Sequence, residues 1–316
     1  MISVRYLAMC SFRLCVLVFV VFSFFASVAY AEVAIQDSHG KYRFEEPPKR
    51  VVVLNWALAE QLHELGEVPV GMADIEGYRK HSNNAIVENT VVDVGGRLAP
   101  KIGQIKALKP DVILIGYSQR PFIRPLSNIA TVIYFKNFGK RYNNEEKSLE
   151  RFTELAKLFD KSALAKEKLA ERDARLAQLK NKLHDHFEGR DLPSVQFIVP
   201  DSTNAAKSDV SLVFGENSMP FYAAKALGLT VVGAQKNDQF GLAQLSADEL
   251  NLLLEEAGSN VCQFYLSSYT GQDRKSRAKL KRDDRCKIEP NYQNAFGGVM
   301  SIVYLAESIV DGLIKK

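Results

Sequence analysis

Residues 50–66, Arg50-Val51-Val52-Val53-Leu54-Asn55-Trp56-Ala57-Leu58-Ala59-Glu60-Gln61-Leu62-His63-Glu64-Leu65-Gly66, decide the fold. The β-branched run Val51–Val53 followed by Leu54 has no polar alternation, so it predicts a strand buried on both faces. At Trp56 the apolar spacing changes to that of a helix. A strand running straight into a helix is the unit from which parallel sheets are built.

Working outward, the same alternation continues to Phe135. Strands are predicted at Val68-Pro69-Val70-Gly71, at residues 112–115 and at 131–135, with helices over 56–65, 102–108 and 121–129. This predicts a parallel sheet covered on both sides by helices. Residues 144–187 are rich in Glu, Lys, Leu and Ala, broken only at Asp160-Lys161-Ser162, where Ser162 can cap a second helix. From Ser162 to Phe187 that helix would be ~39 Å long, enough to cross between two lobes and to limit their relative motion. Leu164, Leu169, Leu176, Leu179 and Leu183 keep no strict heptad, which favours packing on the lobes over a coiled-coil dimer. A second alternation follows, with strands at 195–199, 212–214, 230–232 and 261–265 and helices at 219–227, 247–256 and 298–314.

At the front, Arg5 and Arg13, an apolar run from Leu14 to Val28 and the small-residue motif Ala29-Tyr30-Ala31 read as a secretory signal cut near Ala31. The predicted organisation is a leader over 1–31, an N-terminal α/β lobe over 32–160, a linking helix over 161–188 and a C-terminal α/β lobe over 189–316. The whole chain carries 41 Lys and Arg against 37 Asp and Glu. The leader takes away two of the arginines and no acid, so the mature charge is only weakly positive and gives no reason to expect nucleic acid. Export places Cys262 and Cys286 in an oxidising compartment, where they can pair or remain as two buried thiols. A bridge between them would contribute roughly 3 kcal/mol in the chain-entropy model.

No Gly-x-Ser-x-Gly elbow, phosphate-binding loop, His-Glu-x-x-His or dinucleotide fingerprint is present, and there is no Cys-x-x-Cys. His39, His63, His81, His184 and His186 are scattered, so neither catalysis nor a resident metal is predicted. The remaining candidates are cationic and aromatic groups at strand ends, where open α/β sheets bind ligands. Arg97, after Gly95-Gly96, offers a planar fork to adjacent oxygens. Trp56 either lines a cleft or closes the core. Tyr117 and the pair Tyr78-Arg79 are placed on loops.

Four segments carry a family resemblance: the Val51–Leu62 strand and helix, Ala107-Leu108-Lys109-Pro110-Asp111-Val112-Ile113-Leu114, Asp93-Val94-Gly95-Gly96-Arg97, and Leu212-Val213-Phe214-Gly215-Glu216-Asn217-Ser218. Together they resemble the periplasmic iron-siderophore and vitamin B12 solute-binding family of ABC importers, most nearly its hydroxamate-siderophore binders. The resemblance implies two Rossmann-like lobes joined by a single long helix, the class III periplasmic binding architecture, with ligand in a shallow inter-lobe cleft. It implies a monomeric periplasmic carrier, not an enzyme, that binds an iron(III)-siderophore and delivers it to an inner-membrane permease and its ATPase. Iron would be held by the siderophore's own oxygens, so no protein cofactor is implied.

Arg97 takes the oxygen-binding role by that resemblance, with Trp56, Tyr117, Phe240 and Phe296 as aromatic walls and Tyr78, Arg79 and His81 nearby. The pattern departs at His81, where hydroxamate binders carry a cleft tryptophan, and at Phe240, which also replaces a tryptophan. Asn217 reads as a helix cap. Alternative cargoes are a ferric catecholate, cobalamin or haem, and a periplasmic siderophore-processing enzyme is the alternative from another class.

Overall fold

The computed structural model describes residues 32–82, 86–136, 138–140, 143–200, 210–233, 238–266 and 297–314; the leader predicted over 1–31 lies outside them. From Val33 onward the described residues form one compact unit. Its first sheet has β3 (Val51–Val53), β4 (Gly71–Met72), β5 (Val92–Asp93), β8 (Val112–Ile115) and β9 (Thr131–Tyr134), in the order β5-β4-β3-β8-β9. Every neighbouring pair is parallel. The covering helices are α1 (Trp56–Glu64), α2 (Ile75–His81), α3 (Ile102–Ala107) and α4 (Ile123–Ser127), the last preceded by a 3₁₀ turn at Tyr117–Phe122. Val51, Val53 and Leu114 pack on one face of the sheet, and Val52, Ile113 and Ile115 on the other, as the unbroken apolar runs require.

The Lys-Pro-Asp segment shows how a polar residue sets register. Asp111 accepts the backbone amides of Lys49 and Arg50 at 2.8–3.1 Å, and the Arg50 guanidinium donates to the Leu108 carbonyl. This clamps the start of β3 against the start of β8. Two hairpins were not evident from the sequence. β1 (Val33–Gln36) and β2 (Lys41–Phe44) pair antiparallel. Asp37 holds their turn through His39 and Gly40 and docks it on β9 through the Tyr134 amide. β6 (Gly95–Gly96) and β7 (Ala99–Pro100) form the second hairpin.

The second sheet runs β12-β11-β10-β13, from β10 (Ser194–Pro200), β11 (Val210–Phe214), β12 (Leu242–Ser246) and β13 (Val261–Tyr265). It is mixed: β10 and β13 are parallel, whereas β11 pairs antiparallel with both β10 and β12. The strand predicted at 230–232 is reduced to a bridge between Val195 and Val231. Around this sheet lie α7 (Met219–Ala226), α8 (Ala247–Ala257) and α9 (Ser301–Ile314).

Two α/β lobes are thus joined by long helices, α5 (Asn144–Leu158) and α6 (Ser162–Phe187). Ser162 is the first helical residue rather than the cap; Lys161 takes the cap position without a side-chain bond, after Asp160 turns the chain at φ 54°. Ala165 and Leu169 of α6 join the apolar core of the first lobe, while Leu176, Leu179 and Leu183 join that of the second. The missing heptad therefore reflects one helix serving two cores in succession. No described helix is long and apolar enough to cross a membrane.

Candidate functional site

The C-terminal ends of the parallel strands converge on one group of side chains, where such sheets place ligands. Asn55, after β3, starts α1 by accepting the Leu58 amide. That fixes Trp56 as the first helical residue, with its indole Nε1–H donating to the Ala73 carbonyl beyond β4 at 3.1 Å. Arg97 and Leu98 form the two-residue tip of the β6-β7 hairpin. Gly95 begins this hairpin at φ 91°, where a Cβ would meet the Lys101 side chain at 2.9 Å and the Ala99 carbonyl at 3.0 Å. The Gly-Gly pair before Arg97 is thus a requirement of the turn that presents it.

The Arg97 guanidinium lies 3.6 Å from the centroid of the Trp56 ring, a cation–π contact, and its Nε is 3.5 Å from Asp74 Oδ2. Gln119, buried after β8, donates from Nε2 to the Arg97 carbonyl at 2.9 Å and accepts the Gly116 amide with its Oε1. Loops after β3, β4, β5 and β8 therefore hold one arginine, whose side chain remains about 33% exposed. Leu98 beside it is 71% exposed and Tyr117 is 37% exposed. A fixed cation flanked by accessible apolar surface suits a ligand with a polar centre and greasy arms.

Of the residues singled out from the sequence, the structure brings Arg97 and Trp56 together; Asp74, Leu98 and Gln119, which stand with them, were not singled out. Their residue types are ordinary; only the strand order brings them to Arg97. Trp56 is buried, so it closes the core with one face and carries the arginine on the other. Tyr78 is a correction. It sits in α2, is only 2% exposed and packs edge-on to Trp56 with centroids 5.9 Å apart, so it supports the tryptophan from behind. Burial pushes its phenol pKa upward, reinforced by Glu60. Arg79 is likewise helical and donates to the Val87 carbonyl. Phe240 belongs to a different group, packing at 5.3 Å against Phe138. The side chain of His81 and all of Phe296 lie outside the described residues. Cys262 is disulfide-bonded; Cys286 too lies outside them.

Asn217 is a second correction. Ser218 caps α7 by accepting the Phe221 amide, while Asn217 turns into the left-handed region at φ 65°. Its side chain accepts the Asn144 amide at 2.8 Å and the Tyr222 hydroxyl at 2.9 Å, and donates to the Gly139 carbonyl at 3.0 Å. Asn144 answers with its own amide on the Asn217 carbonyl at 2.7 Å. The motif ties the second lobe to the start of α5.

A second inter-lobe contact lies behind the site. Glu60, one turn along α1 from Trp56, accepts the Ser301 hydroxyl at the start of α9 at 2.7 Å. Gly298 approaches so closely that a Cβ would sit 3.0 Å from Glu60 Oε1. Burial raises the Glu60 pKa to about 7, against the lowering effect of the Ser301 hydroxyl and nearby backbone amides. A cavity of about 680 Å³ between β1 and α5 is lined by Asp37, Lys136, Lys147, Glu150 and Glu154. It shares no residue with the Arg97 group, and its mixed charges select no ligand.

The sequence profile described as "periplasmic binding protein" matches residues 51–251, more than half of the chain. The chain belongs to the periplasmic binding protein family. The iron(III)–Desferal-bound siderophore-binding protein FhuD of Vibrio cholerae superposes with a TM-score of 0.73 at 33% identity, over 84% of this chain and 98% of that one. The petrobactin-binding protein YclQ of Bacillus subtilis shares the periplasmic binding protein fold, with a TM-score of 0.70 at 17% identity over 90% of this chain and 100% of its own.

Among curated relatives, the Fe(3+)-citrate-binding protein YfmC of Bacillus subtilis is 34% identical over 152 residues, 47% of each chain. The iron(3+)-hydroxamate-binding protein FhuD of Escherichia coli is 27% identical over 203 residues, 64% of this chain and 65% of its own. The chain spans about half the length of the first of these curated relatives. Periplasmic binding proteins capture solutes rather than transform them, which sets aside the enzyme alternative. Among the described residues no three His, Cys, Asp or Glu side chains converge to hold a metal ion.

Proposed function

We propose that this protein is the periplasmic substrate-binding component of an ABC importer, that it takes an iron(III)-siderophore of hydroxamate type, and that it delivers this to an inner-membrane permease. The observation that carries the reading is the Arg97 guanidinium lying on Trp56 at the C-terminal edge of the parallel sheet. Hydroxamate oxygens around iron accept hydrogen bonds from such a planar fork without needing a metal ligand from the protein. Leu98, Tyr117, Phe240 and Phe296 would bury the siderophore's apolar arms. The hydroxamate assignment is supported by the likeness to the Desferal-bound protein of Vibrio cholerae. The proposal extends to a monomer with a leader cut near Ala31, lobes over 32–160 and 189–316 around a linking helix at 161–188, and a Cys262–Cys286 bridge.

A ferric carboxylate chelate is the second reading, favoured by the citrate-binding relative of Bacillus subtilis. Trp56 is the only tryptophan in the sequence, so its fluorescence reports on the site directly. Saturable quenching by ferrichrome or ferrioxamine supports the hydroxamate reading. A response to ferric citrate alone transfers the assignment to carboxylate chelates, and silence from every iron chelate ends the siderophore reading.

A further inference from the structure

The residue that touches Arg97 from the side carries the opposite charge, and its backbone is shaped for that position. Asp74 sits at φ 56°, in the left-handed region, at the cap of α2. Its amide donates to the Gly95 carbonyl at 2.8 Å, fixing it to the base of the Arg97 hairpin. Oδ1 accepts the Gly77 amide at 3.2 Å, leaving Oδ2 for Arg97 Nε at 3.5 Å. The Asp74 side chain is about a quarter exposed, so its charge is felt in the cleft and not only inside the fold. Asp93 stands in the same loops, its carboxylate on the Ile75 and Gly95 amides. A site meant to attract a strongly anionic ligand would leave its arginine without this neutralisation.

We propose that Asp74 is a specificity-determining residue: by offsetting the charge of Arg97, it selects iron chelates of little net charge, such as tris-hydroxamates, over multiply anionic ones, such as tris-catecholates. The inference rests on the siderophore reading above and deepens it by naming the chelate class and the group that excludes the other. Asp74 acts through the field around Arg97 and through its hold on Nε. It therefore needs a test that separates charge from positioning.

Asp74→Asn is that test, because Asn tolerates the left-handed backbone, still caps a helix and can still accept a hydrogen bond from Nε. Asp74→Gly, which also fits the positive φ, is the companion variant. Both are titrated by Trp56 fluorescence with ferrichrome and with a trianionic ferric tris-catecholate, at low and at moderate salt. Asp74→Asn is expected to tighten the trianion at least about tenfold while changing ferrichrome by less than about threefold, because the trianion feels each removed charge most strongly. The gain should shrink as salt rises, and Asp74→Gly should move preference in the same direction. Equal shifts for both chelates would reduce Asp74 to positioning Arg97, and no shift in either variant would remove it from recognition. If the unaltered protein binds no iron chelate, the siderophore reading itself fails, and the selectivity of Asp74 falls with it.

Discussion

The two sheets reach their shapes by different routes. In the first, each strand follows a crossover and pairs in parallel, so the loops after β3, β4, β5 and β8 open at one edge and can be aimed at a single arginine. In the second, β10, β12 and β13 run one way and β11 the other, so the chain leaves β11 at the opposite edge from the other three strands. The polar group around Arg97 stands on the first lobe. The second lobe contributes the Asn217 clasp, and its Phe240 packs on Phe138. Parallel winding gathers side chains at one point; the mixed sheet supplies an attachment.

The change expected to disturb this division most is Asn217→Ala. It removes three hydrogen bonds of about 1 kcal/mol each and puts alanine in a left-handed conformation costing about 1 kcal/mol. A loss of about 3–4 kcal/mol in urea unfolding is expected, and an unchanged midpoint would show that the lobes do not depend on the clasp.

The buried carboxyl of Glu60 comes next. Its folded pKa of about 7 lies above its ordinary 4.5. Glu64 on its own helix and Tyr78 of α2, itself facing Tyr304 of α9, are titratable groups near it. The folded state therefore holds the proton more tightly than the unfolded chain. The resulting stability is fully present below about pH 4.5 and is lost as pH rises through about 7. Glu60→Gln should stabilise the protein by about 2–3 kcal/mol above pH 7 and by little near pH 4.5. Melting curves of both proteins across that range test it; parallel curves would place the penalty elsewhere.

Arg97→Ala should weaken ferric-siderophore binding by about 1.5–3 kcal/mol, the range for hydrogen bonds to a charged group, with little effect on folding. Unchanged affinity in the fluorescence titration would move the ligand away from the first lobe's strand ends. The smallest effect is expected at Arg175, whose exposed ion pair with Glu307 at 2.7 Å joins α6 to α9. Arg175→Ala should cost no more than about 1 kcal/mol in thermal unfolding, so a larger loss would show that this contact helps hold α9 in place.

Legibility followed element length and source of order. The β3-α1 unit, β8, α5 and α6 could be read because their apolar spacing is set by the elements' own geometry. The β1-β2 and β6-β7 hairpins and β12 escaped because none carries the unbroken apolar run of β3 or β8: Lys41–Phe44, Gly95–Gly96, Ala99–Pro100 and Leu242–Ser246 mix polar, glycine or proline residues and pair through their partners. Arg97 was visible through Gly95-Gly96, since a turn chemistry advertises itself. Asp74 was not, because its contact with Arg97 is made by strand order. Asn217 was misread because Ser218, its neighbour, is an equally good cap and took that place.

The sharing of α6 between two cores reaches beyond recognition. A chain divided within α6 would give each half an incomplete core, with Leu176, Leu179 and Leu183 stranded from one and Ala165 and Leu169 from the other. The lobes should therefore melt in a single calorimetric transition and fail to fold when expressed apart. A chelate gripped by the first lobe alone would then protect the amides of the second from hydrogen exchange.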